Sequence, residues 1–152
     1  MRILLLAMLV WLVCGAAYAA ALPSQTPPAE TPRFATVDLI IVAAQPLAAY
    51  QLEFTATSGD VRIVGIEGGD HAAFSEPPHY DPRAMMHDRV IIGAFSLVSA
   101  DALPSGRVRV ATLHLEIRGA AEPDFEVTLD AAATTNGASV DATVLLVDGE
   151  SE

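Results

Sequence analysis

The chain has 152 residues, with 19 acidic side chains against 8 basic ones and a net charge of −11, and every basic side chain is arginine. Phosphate backbones and anionic bilayers are gripped by clustered cations, so this balance speaks against nucleic acid and anionic lipid as partners. Its direct consequence is solubility in an extracellular setting.

The first 21 residues carry one positive charge at Arg2, an unbroken apolar run from Ile3 to Cys14, and then small residues. That order is the one a secretory signal needs. A run of about a dozen residues falls short of the roughly 20 that cross a hydrocarbon core. Cleavage fits after Ala19 or after Ala21, no charged stop-transfer cluster follows, and Val13 before Cys14 does not suit a lipoprotein site. The expectation is a secreted, periplasmic or cell-surface-associated bacterial protein with no stable membrane insertion after cleavage. Trp11 and Cys14 leave with the signal, and the loss of Arg2 takes the charge from −11 to −12. The remaining chain has no thiol and no disulfide, so it depends on its core for stability. About 130 residues are enough for one domain that buries roughly two-thirds of its unfolded surface.

Residues 22–33, LPSQTPPAETPR, form a Pro/Ser/Thr-rich linker of polyproline character. The domain follows at 34–148, with an acidic tail at 149–152. Within the domain, residues 34–43 and 47–57 mix β-branched and aromatic side chains; Tyr50, Leu52 and Phe54 fall on one face and Gln51, Glu53 and Thr55 on the other. This is the period of two of a half-buried strand. Gly59-Asp60 turns the chain into VRIVGIEG, where Val61, Ile63 and Gly65 oppose Arg62, Val64 and Ile66. Residues 89–97, RVIIGAFSL, are apolar on both faces and suit a central strand covered on both sides. After Gly106, RVRVATLHLEI changes face near Ala111, which predicts a bulge. Strands at 124–132 and 139–147 flank Thr135-Asn136-Gly137, a hairpin signal. The pattern predicts an all-β, jelly-roll-like β-sandwich of about seven to nine strands.

One stretch breaks the pattern. Gly68–Asp88 is long, contains Pro77, Pro78 and Pro82, and is too polar for a core strand, while Asp81-Pro82 suits the start of one helical turn through Ala84 to His87. Long ordered loops in compact domains tend to carry function. The binding candidates are accordingly His71, Phe74, Glu76, His79, Tyr80, Asp81 and Met85, with Phe74 as the anchor that pins the loop to the sandwich. The expectation is a separable recognition element, replaceable by a short Gly-Ser turn with little change in thermal stability.

Four local patterns occur in a telling order. They are Leu47–Phe54 (LAAYQLEF), a small residue before an aromatic, Gln and alternating apolar residues; Arg89–Ser96, ending in Phe before a loop; Gly106 followed by Val110-Ala111-Thr112-Leu113 with Leu115 and Ile117; and Thr134-Thr135-Asn136-Gly137 before a last strand. Together they resemble the cohesin-like and cellulose-binding-type β-sandwich superfamily over residues 36–147. The resemblance implies a jelly roll of about nine strands that binds a dockerin-type protein or a polysaccharide. The chain departs from it in its short length, in the Gly68–Asp88 insertion, and in lacking a Trp beyond Trp11 for a flat sugar-stacking platform.

No catalytic constellation stands out. Ser96, Ser99 and Ser105 lie in no nucleophile elbow, and there is no glycine-rich phosphate loop. Asp70, His71, Glu76, His79, Asp81, His87 and Asp88 gather imidazole and carboxylate in one segment. Asp70, His71, His79 and His87 are therefore the alternative metal set, for zinc or calcium, although the spacing matches no metal signature and solvated polar residues are the simpler account. The expected cofactor is none. The function expected is a non-catalytic exported module that binds a protein partner, with carbohydrate binding as the alternative.

Overall fold

The computed structural model describes residues 31–149, so the expected signal peptide, most of the linker and the end of the acidic tail lie outside the described residues. Alternation drives the local structure. In β1 (Arg33–Ala43), Val37, Leu39, Ile41 and Ala43 are buried on one face; in β2 (Ala49–Ala56), Tyr50, Leu52, Phe54 and Ala56 are. The remaining strands are β3 (Asp60–Gly68), β4 (His79–Tyr80), β5 (Arg89–Phe95), β6 (Gly106–Arg118), β7 (Phe125–Ala133) and β8 (Ala142–Asp148). Gly59 and Gly106 take positive φ at the turns into β3 and β6, where a Cβ would be strained.

Among the described residues, two four-stranded antiparallel sheets result, in the orders β3-β6-β1-β8 and β4-β5-β2-β7. Their inner faces share one apolar core, which makes the domain a β-sandwich. Chain neighbours mostly sit in opposite sheets. The Asn136-Gly137 turn closes only the single bridge Ala133↔Ser139 before β8 departs to pair with β1. It is thus a crossover corner between sheets, and the expected hairpin ladder does not form.

The bulge expected near Ala111 is present. Leu39 opposes Ala111 while Ile40 opposes Arg109, so Val110 is the extra residue and both Val110 and Ala111 are buried. A second bulge at Val64 in β3 was not legible, and it turns Ile66 inward beside Val61 and Ile63 in place of Gly65. The strand at 89–97 also departs from expectation. Val90 and Ile92 fill the core, but Ile91 and Phe95 point outward into solvent, because β5 is flanked by β2 and the two-residue β4, and among the described residues no layer covers its outer face.

Candidate functional site

The 68–88 segment begins with a close backbone approach. A Cβ on Gly68 would collide with the Ser75 carbonyl and one on Gly69 with the Arg109 carbonyl, so the Gly-Gly pair lets the loop lie flat on the sandwich. The Gly69 N–H donates to the Phe74 carbonyl at 2.7 Å and the Phe74 N–H to the His71 carbonyl at 2.8 Å. This small turn drives Phe74 into the core, edge-on to Tyr50 with ring centres 5.2 Å apart. The Tyr50 hydroxyl in turn donates to the Val110 carbonyl at 3.1 Å, and burial raises its pKa far above the usual phenol value. Phe74 is therefore the anchor expected of it.

Further along, β4 pairs His79 with Gly93 and Tyr80 with Ile92. Ile92 faces the core, so Tyr80 packs inward and His79 outward, where its ring stacks on Phe95 at 6.1 Å. The Asp81 side chain accepts from the Arg83 N–H at 3.0 Å and caps a 3₁₀ turn at Pro82–Ala84, shorter than the turn expected through His87. The Arg83 guanidinium also bonds this carboxylate, and those hydrogen bonds hold it below the usual range. Met85 packs on the core, whereas Met86 is exposed at φ 67°. The Met86 N–H donates to the Ile63 carbonyl at 2.8 Å, and the Ile63 N–H to the His87 carbonyl at 2.9 Å.

These contacts correct the picture of a separable loop. Phe74, Tyr80 and Met85 belong to or pack against the core, and the backbone at residues 86–87 pairs with β3 at Ile63. What the loop exposes is narrower. Glu76 and His79, with Ala72, Ala73, Phe74 and Pro77, line one wall of a groove of about 480 Å³ whose other wall is Ala94–Val98. Along that second wall Phe95 is 62% and Leu97 90% exposed. The tip does not hang free, since the Ser96 N–H donates to the Ala48 carbonyl at 2.8 Å and Ser96 Oγ accepts from the Val98 N–H at 3.4 Å. Phe95 and Leu97 were missed as site residues. Their signal was present, as an apolar set Ile91, Phe95 and Leu97 on the face opposite Val90 and Ile92, but periodicity cannot distinguish a covered second face from an exposed one.

The remaining candidates have local roles. His71 Nδ1 accepts from the Ala73 N–H at 3.1 Å. Asp70, His71, His79 and His87 are not gathered into an ion site: among the described residues, no three His, Cys, Asp or Glu side chains converge to hold a metal. A broader concavity of about 1250 Å³ lies over the outer face of the β3-β6-β1-β8 sheet. There Thr112, 6% exposed, donates to Asp38 at 2.6 Å and accepts from Arg109 at 3.0 Å. His114 Nε2 lies 3.0 Å from Glu67 Oε1, a short contact poorly aligned for a ring N–H. Asp38, Arg109 and Thr112 answer one another on this face, while Thr36 Oγ1 and His114 Nε2 are buried without a hydrogen-bond partner among the described residues. The Phe95–Leu97 groove differs in that its wall carries large apolar side chains in solvent. Compared with known proteins, the chain matches no family model, no curated protein and no solved structure.

Proposed function

We propose that this chain is an exported, non-catalytic interaction module, cohesin-like in a jelly-roll sandwich, that binds a protein partner through the groove between residues 72–79 and 94–98. The observation that carries this reading is the exposure of Phe95 and Leu97 on a backbone tied down at Ser96. Large apolar side chains on a backbone already held in place spare the chain's own ordering cost on docking and supply anchors around which binding energy concentrates. His79, stacked on Phe95, gives the groove a polar edge. The signal-like first 21 residues and the acidic composition support export.

Polysaccharide is the second reading, favoured by the solvent-facing ring of Phe95. Both readings meet one experiment. The full chain is immobilised, proteins captured from the medium of exporting cells are identified, and the purified candidate is titrated against wild type and a Phe95→Ser/Leu97→Ser variant. The expected result is saturable binding weakened about tenfold or more in the variant, with its melting temperature unchanged. Equal binding by the variant overturns the groove assignment. Retardation in soluble-glucan gels that disappears with Phe95→Ala transfers the groove to carbohydrate.

A further inference from the structure

The two sides of the sandwich are finished differently. On one side, residues 86–87 bond the edge of β3 at Ile63 and β4 covers part of the edge of β5. On the other, β7 and β8 are the terminal strands of their sheets, and among the described residues β8 pairs only with β1. The inward side chains there, Val127 and Leu129 on β7 and Val144 and Leu146 on β8, are only half-buried. Open edges are ordinarily blunted by charge, proline or a bulge. β7 has such protection, with Glu126 and Thr128 outward and a bulge at Asp130. β8 does not: Ala142 to Val147 is uncharged, free of proline and in unbroken register, with Leu145 and Val147 40% and 38% exposed.

We propose that this side is a homodimer interface in which β8 pairs antiparallel with β8 of a second copy about a twofold axis at Leu145. The strand is complementary to itself in that register. Leu145 meets Leu145, Val144 meets Leu146, and Thr143 meets Val147, so β-branched and aliphatic side chains face one another. Asp148 falls opposite Ala142, and no like charges are directly opposed. The same axis brings the two half-open apolar seams together and sets Leu145 beside its symmetry mate and Val147 beside Thr143 of the second copy. It also removes both edges by joining the β3-β6-β1-β8 sheets into one.

The test uses the full chain in a Cys14→Ser background. Leu145→Cys places two thiols across the axis and should give a disulfide-linked dimer under mild oxidation. Thr143→Cys should not, because its symmetry mate lies about four residues, roughly 13 Å, along the strand. Light scattering should find a dimer for the unmodified chain and a monomer for Leu145→Lys, with its far-UV circular dichroism unchanged. A monomer at the highest soluble concentration, a dimer that survives Leu145→Lys, or equal cross-linking of the two cysteine variants overturns the proposal.

Discussion

Tyr50, Phe74 and Met86 carry most of what single side chains decide. Phe74 fills the space beside Tyr50, so Phe74→Ala should cost about 3–5 kcal/mol in urea unfolding. Tyr50 has a raised folded-state pKa because burial disfavours the phenolate. The stability tied to its neutral form is complete below the ordinary phenol value of about 10 and is lost as pH rises above it. Thermal melts of wild type should therefore fall as pH rises from about 10 toward 12, and Tyr50→Phe should flatten that decline while costing about 1 kcal/mol at neutral pH for the lost bond to Val110. Met86 holds a left-handed conformation that costs an L-residue about 1–2 kcal/mol, and its side chain is half exposed. Met86→Gly should thus leave stability unchanged or raise it slightly, whereas Met86→Val should lower it by more than 1 kcal/mol. Phe74 was legible because an aromatic in a polar loop needs a reason; the roles of Tyr50 and Met86 depend on partners 60 and 23 positions away, Val110 and Ile63.

The 68–88 segment is the element whose character changed most between sequence and structure. Its length, its prolines and its polar residues set it apart, and it does form one wall of the groove. Yet it is part of the scaffold, stapled by Phe74, by β4 and by the pairing of residues 86–87 with Ile63. Replacing Asp70–Met86 by a short Gly-Ser turn should therefore lower the thermal transition sharply or abolish it; a transition within a few degrees of wild type would show the staples to be dispensable. For β5 the ambiguity was of another kind. An apolar residue on each face of a strand is compatible with two covering layers or one, and only the sheet order shows that Ile91 and Phe95 have no layer above them among the described residues. The bulge in β6 was visible because it shifts the apolar pattern within one strand. In β3 the shift sits at Val64-Gly65, where a small residue hides which face is meant.

At the scale of the whole molecule, pairing is almost entirely non-local. Among the described residues, only the β4–β5 pair joins strands that are neighbours in the chain. Such topologies close large loops before they gain contacts, so refolding of the chain should take milliseconds to seconds by stopped-flow fluorescence or circular dichroism, and microsecond refolding would contradict this strand order. Pairing of β8 edges adds a second consequence. Apparent melting temperature should rise with protein concentration, because association stabilises only the folded state. It should rise further with moderate salt, which screens the repulsion between two strongly acidic chains.

Alternation of apolar residues, the glycines at positions 59, 106 and 137 and the near absence of helical periodicity were enough to determine an all-β chain with most strands in place, since each depends on residues a few positions apart. Which sheet a strand joins is not a local property. Gly59-Asp60 and Asn136-Gly137 carry ordinary turn signals, yet both lead into strands of the opposite sheet, because packing two apolar faces together is worth more than extending either ladder with its chain neighbour. Among the described residues, the same long-range choice leaves Phe95 and Leu97 exposed and β8 at a sheet edge, and so the surfaces proposed to bind were decided by the tertiary structure.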